Sequence, residues 1–511
     1  MSKSAGAIKR AFDVYIRDNP VVVKDLRTRM RGLGAYGLII GYLLLISIVM
    51  CITYYTETGW RPTIRLSAAG TMGASLFTAL AWTQSIVLMF AIPGVISSAI
   101  AREYENKTIE MLALSQMNSF LFVFGKLTSG LLYCLVLILS SLPLAGMCLM
   151  FGGISPEEIA ITYLITISFC FMMCSTALYF SAILGKTIGA IMTYCIFCIF
   201  YLLQYMFDGL SLLMVIFQGD SKEPWSKLML PALGASSSMD SATICGASIP
   251  MAVITVVLQT LIGTVLLCAS AVKVKHWKSE RTAIMRILLL ITLVVFAVLG
   301  LGDHVLSACY GMSVGKMINV APLAVLTSLV ILSSIIGTGP IHKPCNSSIL
   351  CYLFNPGNIF KPDLSGAIFY VTLASLLTYS AASLAFAVNP CAVPTSKNVY
   401  WMMILVQLPL VLSGVWLAAC TGILFSAVFK NRVMAVIVSL SAVVIAVVAY
   451  VGTHTIFTSS EILFFTTASS KVSNWPDVPS IMIVSSVCIA ISATCLALTS
   501  IALKKFGGVV E

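Results

Sequence analysis

Ala101-Arg-Glu-Tyr-Glu-Asn-Lys-Thr-Ile-Glu-Met-Leu-Ala-Leu-Ser-Gln-Met-Asn-Ser-Phe-Leu-Phe-Val-Phe-Gly-Lys126 brings a dense set of charges into an otherwise apolar chain. It lies between two hydrophobic runs, each long enough to cross a bilayer. Its charges fall at helical spacing, Glu103 with Lys107 four residues on and Lys107 with Glu110 three on. The spacing predicts a short polar helix over 101–117 at a membrane surface, tied at both ends to membrane-crossing segments. A helix held in that way can receive a push from a soluble partner and pass it into the bilayer.

Composition settles the solvent. Hydrophobic residues make up 59% of the 511, charged residues only 10%, and mean hydropathy is +1.01. That is too little polar surface to cover a water-soluble globule of this size. The apolar runs are continuous, about 20 residues long, and lack the alternation of a barrel strand, so each must satisfy its own backbone as a helix. The fold class expected is an all-α polytopic membrane protein. Roughly 35 residues of basic amphipathic sequence precede the first run, so that run itself is expected to act as the targeting signal.

Twelve spans are expected, near 36–55, 75–100, 127–151, 158–184, 187–207, 249–272, 287–302, 317–338, 367–388, 400–428, 433–453 and 479–503. An even number puts both termini on one side, and the positive-inside rule says which. With the termini in the cytoplasm, 23 of the 30 Lys and Arg fall inside, while the acids divide 9 inside and 10 outside. The net charge of +11 is thus a cytoplasmic excess that reports orientation in the cytoplasmic (inner) membrane. It does not point to nucleic acid.

Residues 1–33 carry Asp18-Asn19-Pro20, which can cap and start a helix, followed by Val22, Leu26 and Met30 on one face and Lys24, Arg27 and Arg31 elsewhere. Together with Arg29, this reads as an interfacial helix on an anionic leaflet, the alternative being a basic tail that only sets topology. The remaining domains expected are a first six-helix half, 34–272, and a second, 273–511. A parallel duplication is suggested by Phe180-Ser-Ala-Ile-Leu-Gly-Lys-Thr near the end of the fourth span and Phe425-Ser-Ala-Val-Phe-Lys-Asn-Arg near the end of the tenth. Loop 339–366, rich in Pro, Asn, Gly and Cys, does not repeat the charged helix.

Several chemistries find no residues. Most of the sixteen cysteines lie within apolar runs, where they are small hydrophobes, and Cys195-Ile-Phe-Cys198 has no partner pair. His276, His304, His342 and His454 sit in four different loops, so no metal set is expected. In this parse none of the 49 charged residues lies deep in a span, which argues against an ion-coupled carrier. Gly185-Lys-Thr187 has the tail of a phosphate loop, but Phe180 stands where its leading glycine belongs. Pro143 predicts a kink in the third span, and Gly152-Gly153 an outer turn.

Glu103-Tyr-Glu-Asn-Lys-Thr-Ile-Glu-Met-Leu112 resembles the first cytoplasmic loop of the type-two permeases of ATP-binding-cassette exporters, whose pattern is close to Glu-Arg-Glu-x-Gly-Thr-Leu-Glu-x-Leu-Leu. Glu103, Glu105, Thr108, Glu110 and Leu112 match; Tyr104 and Lys107 depart, and the proline usual a few residues later is missing. The likeness continues through Gly125-Lys126, Ser141-Leu-Pro143, Phe151-Gly-Gly153 and Phe180-Ser-Ala, and through Asn19 to Arg31. It covers roughly the first 210 residues well, and the second half only around 420–440.

The resemblance implies a non-enzymatic permease subunit. Separate ATPase subunits, two of them expected, would hydrolyse ATP with Mg and dock at the 101–117 helix and the interfacial helix. Arg102, Glu103, Glu105, Lys107, Thr108, Glu110 and Leu112 would couple the permease to them, Glu103, Glu105 and Glu110 by acidic contacts to the partner, and Pro20, Lys24, Arg27, Arg29 and Arg31 would belong to the interfacial helix. A second permease copy would be needed if one chain does not supply both halves. The alternative is an ATP-independent secondary carrier or channel.

Overall fold

The computed structural model describes residues 22–25, 27, 33–58, 66–92, 96–108, 119–206, 241–244, 247–274, 286–295, 367–388, 408, 412, 416–417, 419–424, 486 and 489–498. The chain divides into two compact units. One is Met1–Phe207 with Glu223–Ala242 and Ile249–Trp277, and the other is the remainder.

In the first unit the helices are α1 (Leu33–Thr58), α2 (Leu66–Ile92), the short α3 (Ala101–Glu105), α4 (Ser119–Ser140), α5 (Leu142–Phe151), α6 (Pro156–Leu184), α7 (Thr187–Met206) and α8 (Met251–Val274). Where the chain passes between the two units, before α8, Ser241–Ile244 and Ala247–Pro250 pair as a short β-ribbon, β1 and β2, so the described residues are helical with one small strand pair. Among the described residues five stretches are long and apolar enough to cross a membrane: Tyr36–Thr58, Met72–Ala91, Phe120–Phe151, Pro156–Leu184 and Ala252–Ala271. Spans expected at 36–55, 158–184, 187–207 and 249–272 coincide closely with α1, α6, α7 and α8. The eighth and eleventh expected spans lie outside the described residues.

Helix ends follow local chemistry. α6 starts at a capping box in which the Ser155 hydroxyl accepts from the Glu158 N–H (3.2 Å) and the Ser155 N–H donates to the Glu158 carboxylate (3.1 Å). Pro156 occupies the first turn, where a missing N–H costs nothing. The helix stops at Gly185, whose φ of 61° is open to glycine and expensive for other residues. α2 differs from the expected 75–100: it begins at Leu66 and ends at Ile92, immediately before Pro93-Gly94. Proline disfavours helix at the residue before it, and the chain resumes as a buried turn from Ile96 to Ile100.

The third apolar run is interrupted. α4 ends at Ser140, α5 begins at Leu142, and Pro143 sits in the first turn of α5. Proline has no N–H for the carbonyl four residues earlier, so the helix restarts where a kink was expected.

α6 is the pillar of the unit, packed against α8, α7, α4 and α2, while α1 rests on α2. Ile165, Phe169, Met173, Cys174, Ala177 and Leu178 are fully enclosed. α6 and α8 approach so closely that a Cβ on Gly263 would lie 2.5 Å from the Phe171 ring. Ser168 hydrogen-bonds Gln259 across the same seam. α1 has a mostly exposed face, with Tyr36, Ile40, Leu44, Ile48 and Ile52 outward, as a lipid-facing helix requires.

In the second unit the described helices are α9 (Arg286–Val295), α10 (Ala367–Val388) and α11 (Ile489–Leu498). Ile368, Cys420, Ile423 and Cys495 form a small core with Trp416, Leu424 and Leu496. The Tyr370 hydroxyl donates to the Arg286 carbonyl at 2.7 Å, and the Arg286 guanidinium lies 5.2 Å from the Tyr370 ring centre.

Candidate functional site

The charged segment that opens the chain's reading is a short helix held by three anchors. α3 covers only Ala101–Glu105; the backbone turns out of the helix at Asn106, and Lys107 takes a φ of 55°. Lys107 is the one non-glycine residue with positive φ among the described residues, and residues 109–117 of the expected helix lie outside them. The Glu103–Lys107 helical pair is therefore not made. With the chain left-handed at 107, the two side chains no longer share a face.

Glu103 turns inward instead. The Lys126 ammonium, on α4, sits 3.4 Å from the Glu103 carboxylate and 2.9 Å from Asp25 of the amino-terminal segment. Asp25 Oδ1 takes a hydrogen bond from Lys126 Nζ at 3.2 Å, while Oδ2 makes the closer charge contact. Lys126 also lies 5.7 Å from the Phe122 ring centre. Lys126 is buried within the apolar stretch Phe120–Phe151, one residue before the span expected at 127–151 and near the start of α4. Its two carboxylates reduce the cost of holding an ammonium there. Thr108 closes the loop by donating to the Glu103 carboxylate and to its backbone carbonyl.

The second anchor is Ser181 on α6, whose hydroxyl oxygen accepts from the N–H groups of Ile100 (3.2 Å) and Ala101 (2.9 Å). Those are donors that the start of α3 cannot satisfy internally. Ser181 thus gives the Phe180-Ser-Ala motif a mechanical role. The third anchor is Glu105, which accepts from the N–H (2.8 Å) and hydroxyl (2.7 Å) of Thr187, the first residue of α7. Tyr104 packs against the turn at Gly185, where an added Cβ would meet its ring at 3.7 Å.

Electrostatics agree with this bonding. Burial acts to raise the Glu103 pKa, but the Thr108 hydroxyl and then the Lys126 ammonium stabilise the carboxylate and hold it below its ordinary range. The Thr187 hydroxyl and N–H lower that of Glu105. Groups lowered in this way stabilise the fold above the ordinary carboxylate range, and the contribution is lost as pH falls through their lowered values.

Among the described residues of the segment, the surface left over is basic. Arg102, Asn106 and Lys107 are exposed, while Glu103, Tyr104 and Thr108 are half-buried and Glu105, though exposed, is bonded to Thr187. In the interfacial segment Val22 is buried and Val23, Lys24 and Arg27 are exposed, while Leu26 and Met30 of the expected apolar face lie outside the described residues. Pro20, Arg29, Arg31, Glu110 and Leu112 lie outside the described residues. Sequence reading missed Asp25 and Ser181. A lysine eight positions into an apolar helix was the available signal for the first, because such a charge requires a partner.

Among the described residues no group of three or more His, Cys, Asp or Glu could hold a metal. The described cysteines are free thiols. Compared with known proteins, the chain matches no family model, no curated protein and no solved structure.

Proposed function

We propose that this chain is the transmembrane permease subunit of an ATP-binding-cassette exporter, carrying cargo across the cytoplasmic membrane on ATP hydrolysed, with Mg, by separate ATPase subunits. Both termini are cytoplasmic, and two ATPases dock at the 101–108 segment and the interfacial helix. Twelve spans in two halves would let one chain form the whole pathway; otherwise a second copy completes it. Nucleic acid has no part in it.

One observation carries the reading. The segment's single left-handed residue, Lys107, stands at the position where the family pattern has glycine, the residue suited to that backbone. The pattern's Glu103, Glu105 and Thr108 supply the bonds that fix the turn. A soluble partner pressing on exposed Arg102, Asn106 and Lys107 would load α4 through Lys126, α6 through Ser181 and α7 through Thr187. In this reading Glu103 and Glu105 position the lever, and the basic residues meet the partner.

Co-purification of an ATPase from cells expressing the full chain tests this. Wild type should retain the partner, and an Arg102→Glu, Lys107→Glu double variant should lose it while inserting normally. Retention by the double variant overturns the docking surface. Glu103→Arg is a poor probe, because it would set a second cation beside Lys126.

The rival, an ATP-independent carrier or channel, draws on the buried Lys126–Asp25–Glu103 group, since carriers use ionisable side chains within spans. Lys126 is paired with both carboxylates, which suits a strut better than an ion relay. Uptake into vesicles containing the purified chain alone, driven by an ion gradient without nucleotide, would favour the rival.

A further inference from the structure

The α3 segment and the turn between α6 and α7 form one surface. Glu105 accepts from the N–H (2.8 Å) and hydroxyl (2.7 Å) of Thr187, and a Cβ added to Gly185 would meet the Tyr104 ring at 3.7 Å. Lys186 stands between those two contacts in the chain, so it is carried to the side of α3, and it is exposed.

Charge on this surface is one-sided. Arg102, Lys107 and Lys186 are all exposed, and among the described residues none of the three enters an ion pair. The acids beside them are already engaged. The Glu103 carboxylate holds Lys126 and Thr108. Both oxygens of Glu105 are bonded to Thr187, and its charge also lies within reach of Arg102 and Lys186. Three cations around one occupied carboxylate repel a basic surface and attract an acidic one.

The surface is also fixed in shape. Ser181 holds the N–H groups of Ile100 and Ala101, Thr108 closes on Glu103, and Thr187 holds Glu105. A fluid leaflet needs no fixed relief and is served by a basic tail such as that around Lys24 and Arg27. Cations on a pinned turn suit a folded partner, which gains from contacts already in place.

We infer that Arg102, Lys107 and Lys186 form a docking surface for the carboxylates of a soluble protein, with Lys186 extending it from α3 to the α6–α7 turn. The inference rests on the permease reading, in which that protein is the ATPase, and adds the chemistry of the contact: the partner's side is acidic. Charge at this joint runs opposite to the acidic contacts that the resemblance implies.

Zero-length cross-linking of the full chain with its co-purified ATPase tests this. A carbodiimide condenses an amine with a carboxylate and leaves no spacer, so it should join Lys186 to an Asp or Glu of the ATPase, located by mass spectrometry. Lys186→Arg keeps the charge without the reactive amine, and should keep the ATPase while losing the link. Lys186→Glu should insert normally and retain about fivefold less ATPase at low salt, with a smaller loss for Lys186→Gln. High salt should weaken retention by wild type, as screening requires. An ATPase retained equally by wild type and Lys186→Glu, with no link to Lys186, overturns this inference and leaves the permease reading standing. A wild type that retains no ATPase overturns both. If Lys186→Glu leaves ATPase retention unchanged but abolishes stabilisation by phosphatidylglycerol over phosphatidylcholine, the surface belongs to the leaflet and the inference fails.

Discussion

The bundle contains two polar clusters that handle burial in opposite ways. At the Lys126 end, formal charges meet: the Lys126 ammonium lies between Asp25 and Glu103, with Thr108 donating to Glu103. Where α4 gives way to α5, neutral groups meet: the Ser141 hydroxyl lies 2.9 Å from that of Tyr163 and 3.4 Å from the Gln84 amide oxygen. Burying an ion is far more costly than burying a hydroxyl. The charged cluster therefore depends on its ion pairs, and the neutral one only on hydrogen bonds between hydroxyl and amide groups.

Lys126→Met should break the contrast most severely. Two carboxylates would be left facing each other, at a cost of about 3 kcal/mol, the low end for one-sided removal because Glu103 keeps 24% of its side chain exposed. Thermal unfolding in detergent measures it. The triple change Lys126→Met, Asp25→Asn, Glu103→Gln should recover most of the loss, and equal instability in both variants would mean the lysine acts through packing alone. Ser181→Ala comes next, at about 1–2 kcal/mol, because it strands the Ile100 and Ala101 N–H groups. Hydrogen exchange at those two amides should rise while the α4 break is unchanged. Lys107→Gly should have the smallest effect and the opposite sign. Relief of the left-handed backbone, partly offset by glycine's chain entropy, should raise stability by about 0.5–1 kcal/mol. A loss of stability would show that the lysine side chain itself holds the turn.

Much of the helical scaffold was legible because span length and apolar continuity are set by the bilayer, as in α1, α6, α7 and α8. The restart at Pro143 was legible for a local reason, a missing N–H. Hydropathy alone misplaced α2. Ser67-Ala-Ala-Gly-Thr-Met-Gly73 is only weakly apolar yet helical, and the described helix stops at Ile92, although the sequence beyond it remains apolar. Within the site, residue types were readable and pairings were not. Glu103 could bond Lys107 by helical spacing or Lys126 across 23 residues, and only the turn at Asn106 decides between them. Asp25 is 101 residues from Lys126, a separation on which no periodicity bears.

α6 is capped by the Ser155–Glu158 box at one end and by Gly185 at the other. Its 29 residues give a rod of about 43 Å, close to the full depth of a bilayer with its headgroups. A rod stoppered at both ends cannot fray to match a thinner membrane, so it meets mismatch by tilting. Because α8 is pressed against it at Gly263, the pair must lean together, which makes membrane thickness a mechanical input to this protein.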